Sequence, residues 1–232
     1  MLDDLTLWLD ETPRDGALNM ALDEAMLFHA QSVWMRVYKW AVPTLSIGFS
    51  QPLTVVPVDK ASWPVVRRWT GGGVVVHDGD WTYTLAAPAG HPVSEQRAVE
   101  TYRWIHEAMI AALEEVGISG GVLQPEHTSD GMGVCFVEPA KYDVVLDGQK
   151  IAGAAQRRVK AGFLHQGTIQ PVKLPEEFGE LFAGSLARHV TVADAGEVER
   201  LLMPRAEELV RCKYGTPEWL QDRSVRRAEA VN

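Results

Sequence analysis

Cysteine is nearly missing from this chain: 232 residues contain two, Cys135 and Cys212. Two thiols cannot make a disulfide framework, and without a C-x-x-C pair there is no thiolate zinc site to expect. Long apolar runs are missing too. No segment approaches the roughly 20 apolar residues of a membrane helix. The first residues, MLDDLTLWLDETPRDG, are acidic where a signal peptide carries a basic region. A cytoplasmic protein with no membrane partner is therefore expected. Positive charge is scarce, with 22 Lys plus Arg against 31 Asp plus Glu and a net charge of -9. A chain of that sign is repelled by a phosphate backbone, so nucleic acid is a poor partner. Internal repeats and low-complexity segments are also absent. What is present, 46% hydrophobic and 23% charged residues, is enough apolar surface to offset the entropy of ordering. The expectation is one globular domain over 1–232.

Periodicity places a helix over 16–30, where Leu18, Ala21, Leu22, Ala25 and Met26 recur at helical spacing behind a capping Asp15. Strand-like runs follow at 33–38 and 44–48, and VVRRW, a glycine triplet, VVVH and WTYTLAA read as strand, turn and strand. A long helix fits 94–116, ended by Gly117. Asp147-Gly148 supplies the positive φ of a primed turn, so 142–156 reads as a hairpin, and Ala161-Gly162 turns the chain into FLHQGTI at 163–169. Asp194 with Glu197 resembles a capping box for a helix over about 195–212, and Thr216-Pro217-Glu218 opens a short final helix. Hairpin-linked strands with helices grouped at the start, middle and end give an α+β class, a mixed and largely antiparallel sheet flanked by helices.

Four segments could carry chemistry. In RRWTGGGVVVHD, Gly71, Gly72 and Gly73 stand between β-branched runs, where they weaken a sheet unless the backbone must approach a ligand closely. Arg67 and Arg68 could pair with phosphate or carboxylate there; a glycine bulge with solvated arginines is the plain alternative. No Gly-Lys-Ser/Thr follows and no helix opens after the glycines, so the P-loop and Rossmann patterns do not fit. In DGQKIAGAAQ, Lys150 stands beside small residues that leave room for a ligand, though a hairpin lysine can simply face solvent. Cys135, in GVCFV, reads as a small buried hydrophobe or a nucleophile, with His127, His165 and His77 as candidate neighbours. Cys212 reads as structural. His165, in FLHQGTI, taken alone reads as a hydrogen-bonded structural histidine.

Taken together, RRWTGGGVVVHD, DGQKIAGAAQRR and GFLHQGTI, in that order and spacing, resemble the signature of the lipoate-protein ligase A and octanoyltransferase superfamily. NMALDEAM, LSIGFSQ and KYGTPEWL resemble its N-terminal helix, a ligand-facing strand and its C-terminal end, so the likeness spans nearly the whole chain. The resemblance implies a biotin/lipoyl protein ligase catalytic-domain-like α+β fold with an apolar acyl tunnel. It implies that Arg68, Gly73, Val74, Val75, Val76 and Lys150 match residues that contact acyl-adenylate or nucleotide in the ligases. His77 and His165 fall on positions lining the acyl pocket, and Gly71, Gly72, Gly153, Ala154 and Gly167 complete the implied substrate-binding set. Thr70 and Ala154 replace serines common in the family.

The superfamily holds two chemistries. Ligases activate lipoate with ATP and Mg2+; octanoyltransferases take octanoyl from acyl carrier protein through a cysteine thioester and require no cofactor. One octanoyltransferase branch places its nucleophile in a Cys-Phe pair shortly upstream of a Gly-x-Lys hairpin. Cys135-Phe136, Tyr142-Asp143 and Gly148-Gln149-Lys150 match that arrangement, and Gln51-Pro52 lacks the Asn usual in ligases. The expectation is a Cys135/Lys150 octanoyltransferase acting on octanoyl-acyl carrier protein and on lipoyl domains of 2-oxoacid dehydrogenases or a glycine-cleavage H protein. The runner-up is an ATP-dependent ligase, followed by an amidotransferase between carriers, and then a non-catalytic acyl- or carrier-binding protein. Arg67-Arg68 and Arg157-Arg158 are expected as docking residues for acidic carriers.

Overall fold

The computed structural model describes residues 1–125 and 140–225. The chain opens on a long strand, β1 (Leu2–Arg14), where sequence reading finds only acidity. Leu5 and Leu7 turn into one core and Trp8 into another, so the strand is buried on both faces and shows no simple apolar and polar alternation. Asp15 caps α1 (Gly16–His29) as expected, its carboxylate accepting from Leu18 N at 2.9 Å. There follow β2 (Trp34–Trp40), β3 (Thr44–Ile47), β4 (Val65–Arg67), β5 (Val75–His77), β6 (Trp81–Pro88), α2 (Pro92–Glu95) and α3 (Ala98–Glu115). Then come β7 (Val122–Leu123), β8 (Val144–Leu146), β9 (Gln149–Val159), β10 (Gly162–Ile169), α4 (Phe178–Leu186), β11 (Ala187–Val192), α5 (Ala195–Leu209) and α6 (Pro217–Asp222).

Among the described residues the main sheet runs β11-β1-β2-β6-β10-β9-β8-β7. The β11–β1 and β1–β2 pairings are parallel and the others antiparallel. The sheet is mixed, as expected, but both parallel pairings are made by β1, a strand that the sequence did not reveal. One face packs Leu5, Leu7, Met35, Leu85 and Phe163 against Ile105 and Met109 of α3 and Phe178 and Phe182 of α4. The other packs Trp8, Tyr38, Ala86 and Leu164 against α1 and α5. A small sheet, β4-β3-β5, has its own core of Leu45, Ile47 and Val74.

Three expectations need correction. The helix over 94–116 is broken into α2 and α3, with Gln96 extended. Arg158 donates to the Ser94 carbonyl at the end of α2. The glycine segment is not a hairpin: β4 and β5 lie on opposite sides of β3, parallel and antiparallel to it, and the glycines carry the chain across its end. A Cβ on Gly48 would fall 2.0 Å from the Gly72 carbonyl oxygen, so that crossing needs bare backbone on the β3 side. The last long helix gives way to a π turn at Val210–Tyr214 before α6. The 147–148 hairpin turn and the Asp194 and Thr216 caps stand as expected.

Between α1 and the sheet lies a buried charge network. Arg36, fully buried, pairs with Asp10 at 2.6 Å and Asp23 at 2.8 Å and donates to Asn19, and Arg14 pairs with Asp10 at 3.0 Å. Burial pushes Asp23 above the usual carboxylate range, against the opposing pull of Arg36. Arg36→Met leaves the buried Asp23 with no guanidinium and Asp10 with that of Arg14 alone, and should lower unfolding free energy by about 3–5 kcal/mol in a denaturant titration. Burial also pushes His77, His106 and His165 below the usual imidazole value. Protonating them therefore favours the unfolded chain: their contribution is complete above the unfolded value near 6.5 and is lost as pH falls below it. Unfolding free energy should drop between pH 7.5 and 5.5, and His165→Gln should make that drop shallower.

Candidate functional site

The two arginines before the glycines are turned inward. Arg67, 1% exposed, donates to the carbonyls of Gly48, Phe49, Gln51, Trp219 and Leu220 and ties the C-terminal segment to the β3 loop. Arg68, 6% exposed, donates to the Ser46 carbonyl and hydroxyl at 2.7 Å each, to Gly71 O at 2.9 Å and to Gly73 O at 2.8 Å. A trans peptide points its N–H away from its C=O, so the amides of Gly72 and Val74 turn away from this guanidinium. Arg157 lies over Phe49 and Trp69, and Arg158 lies over Phe163 and bonds Ser94 O and Thr101. The expectation of docking arginines is thus corrected for Arg67 and Arg68. All four are engaged within the chain, two of them deeply buried.

Beside Arg68 a narrow cavity opens between the small sheet and the surface of β9 and β10. Its lining includes Met20, Trp40, Val75, His77, Gly153 and Gly167, together with Arg68 and Ala154. His77 is fixed on three sides. Its Nε2 meets Ser46 Oγ at 2.7 Å, its Nδ1 meets Asp80 Oδ2 at 2.8 Å, and Trp40 stacks on its ring at 3.9 Å. Burial nevertheless outweighs Asp80, and the imidazole sits below its usual value. Val74 and Val76 belong to the small-sheet core and do not line the cavity. Gly167 is bare because a Cβ there would come within 2.5 Å of the Tyr83 ring.

His165 does not join this lining. In the β10 register it lies opposite Gln156, on the sheet face that packs against α3. Its Nε2 meets Tyr83 OH at 2.9 Å and its Nδ1 meets Gln156 Nε2 at 3.0 Å, while Tyr102 and His106 stand 5.7 and 6.0 Å away between ring centres. The expected pair of pocket histidines is therefore split, one to each face of the sheet. Alternation along a strand makes this unavoidable, since Gln166 and Thr168 face the cavity.

Lys150 is buried, with 7% exposure, and is no solvent-facing hairpin lysine. Its Nζ lies 2.7 Å from Asp143 Oδ2. It reaches over Gly153: a Cβ at that position would stand 2.6 Å from Lys150 Cε and 2.8 Å from Nζ. Because Gly153 lines the cavity, the amine is held at the cavity's rim. Tyr102 of α3 donates to Asp143 Oδ1 and accepts from Ala154 N at 2.8 Å, and Ala140 N donates to Asp143 Oδ2 at 2.6 Å. Burial and the adjacent Asp143 hold the Tyr102 phenol well above its usual value. Sequence reading placed Asp143 in the motif but gave it no task, and it passed over Tyr102, since a tyrosine near a tryptophan within a helix carries no signal of its own. Asp23 and Gln166 were missed as well. Gln166 accepts from Thr70 Oγ1 at 2.7 Å and donates to Asp23 at 2.7 Å, so it joins the glycine loop to the charge network. Cys135, with its neighbour Phe136 and the candidate His127, lies outside the described residues; Cys212 is half-buried.

Comparison with known proteins fits this geometry. The lipoyl protein ligase A/B catalytic domain family matches residues 15–182. A curated relative in Halalkalibacterium halodurans, named Octanoyltransferase LipM, is 35% identical over 70% of this chain. The match spans 64% of that relative's length, a little under two thirds. A second of the same name, in Brevibacillus brevis, is 29% identical over 88% of this chain and 94% of its own. Among solved structures, a protein from T. acidophilum with bound lipoic acid superposes with a TM-score of 0.73 at 22% identity, covering 94% of this chain and 98% of that one. The cavity, the glycine crossing and the buried lysine thus stand in a chain that belongs to the lipoyl protein ligase A/B catalytic domain family.

Proposed function

We propose that this chain moves an octanoyl group from acyl carrier protein to a lysine of a lipoyl domain or glycine-cleavage H protein, through a thioester on Cys135. The observation that carries the reading is the Lys150 amine held over Gly153 at the rim of the cavity, in a family whose relatives here are named for octanoyl transfer. In the first half-reaction the Cys135 thiolate attacks the carrier thioester carbonyl, the new thioester forms, and the carrier thiol leaves with a proton. In the second, the acceptor lysine amine attacks the Cys135 thioester, an amide forms, and the Cys135 thiol is released. The Lys150 ammonium favours thiolate over thiol and meets charge developing on the carbonyl oxygen. A thioester is less stable than an amide, so neither step requires nucleotide or metal.

The cavity's walls at Met20, Trp40 and Val75 are apolar, as an acyl chain requires, and its volume of about 30 Å³ must widen to admit one; no helix of the described residues is long and apolar enough to cross a membrane.

Two measurements test the reading. With octanoyl-acyl carrier protein, a lipoyl domain and no ATP, the wild-type chain should octanoylate the acceptor, and Cys135→Ala should lose at least ~100-fold in rate. Transfer that needs ATP and survives Cys135→Ser would make the chain a ligase. Gly153→Ala introduces a methyl where the Lys150 stem now lies and should lower kcat by ~10- to 100-fold. Its thermal midpoint should stay close to that of the wild type, because the displaced group is a side-chain end.

A further inference from the structure

We infer that Asp143, oriented by Tyr102, is a positioning residue for the transfer reaction: it sets where the Lys150 amine stands at the cavity rim. The inference rests on the reading of Lys150 given above and extends it to two residues that the family resemblance left without a task.

Three separate parts of the chain converge on this carboxylate. Lys150 comes from the start of β9, Tyr102 from α3 and Ala140 from the segment before β8, and each directs a donor at Asp143. With 1% exposure, the carboxylate has no water shell to reorganise, so its oxygens act as a fixed template. One oxygen accepts from Lys150 Nζ at 2.7 Å and from Ala140 N at 2.6 Å, while the other accepts from Tyr102. Tyr102 is itself pinned to the main chain, accepting from Ala154 N at 2.8 Å beside the cavity-lining Gly153. Position therefore passes from the β9 backbone through a phenol and a carboxylate to one ammonium.

Stability does not account for the arrangement. Removing an ammonium and a carboxylate from water costs several kcal/mol per ion, and well-packed apolar groups of similar volume would serve a fold as well. Moreover, Gly153 is left without a side chain where the Lys150 stem passes. Space and hydrogen bonds are both arranged for the amine. His106, which feels the charges of both Asp143 and Lys150, is pushed toward the neutral form by burial, so it leaves the field at the amine to charged groups. A catalytic cation misplaced by about 1 Å can lose ~100-fold in rate, which is the size of effect that positioning by Asp143 should control.

The test is a double-mutant cycle read in single-turnover octanoyl transfer, with steady-state kcat and carrier KM measured alongside. Asp143→Asn keeps the shape and removes the charge; Tyr102→Phe keeps the ring and removes the donor. Folding of each is checked by thermal denaturation. Asp143→Asn should lower kcat by ~30- to 100-fold and Tyr102→Phe by ~3- to 10-fold, with KM for the carrier within about twofold of wild type. On a Lys150→Met background, Asp143→Asn should cause no further loss, because its target is gone. Equal losses on both backgrounds would mean a structural role and overturn the inference. So would a folded Asp143→Asn enzyme of unchanged kcat in a chain that Lys150→Met disables. Should Lys150→Met itself transfer at the wild-type rate, the assignment of Lys150 would fall, and this inference with it.

Discussion

Arg36 is the point on which the architecture turns. Its guanidinium sits at the middle of β2 with no exposure to water, and it bonds β1 through Asp10 and α1 through Asp23 and Asn19. A charge in that position is tolerable only when every donor is met, and meeting them fixes α1 against the sheet. The same Asp23 accepts from Gln166, which accepts in turn from Thr70. One buried cation thus determines, through one carboxylate and an amide, where the loop before the glycines begins.

From that loop onward the site is built by close approach. Gly48 passes against the Gly72 carbonyl, Arg68 gathers the carbonyls of Gly71 and Gly73, and Gly153 leaves space for the Lys150 stem. Gly48 and Gly153, on different elements, are bare for one physical reason: main chain or the Lys150 stem comes closer there than a Cβ permits. The sheet then divides the labour, placing His77 beside the cavity and His165 on the face covered by α3.

Much of this was legible in the residues. Caps at Asp15, Asp194 and Thr216, the Asp147-Gly148 turn and the helical spacing of 16–29 depend on local chemistry, and the chain follows them. Arg68, His77, Gly153 and Lys150 were singled out by motif spacing, without their orientation and, for Lys150, without its burial. Long-range pairing was not legible. The parallel strands β1 and β11 are buried or at an edge and lack clean alternation, and nothing local says that β4 and β5 flank β3. The basic pairs misled for a related reason. Composition counts a charge as surface, whereas Arg67 and Arg68 are consumed by carbonyls supplied from segments as distant as Leu220. Asp143 and Tyr102 stayed invisible because their meeting depends on how α3 packs on the edge of β9.

The central claim is that Cys135 carries the acyl group without nucleotide. The most direct measurement is the intact mass of the purified chain after brief exposure to octanoyl-acyl carrier protein in ATP-free buffer, with the modified residue located by peptide fragmentation. The account predicts a single octanoyl group on Cys135, released by hydroxylamine as a thioester should be. An unmodified chain that instead forms an acyl-adenylate from free lipoate and ATP would contradict it.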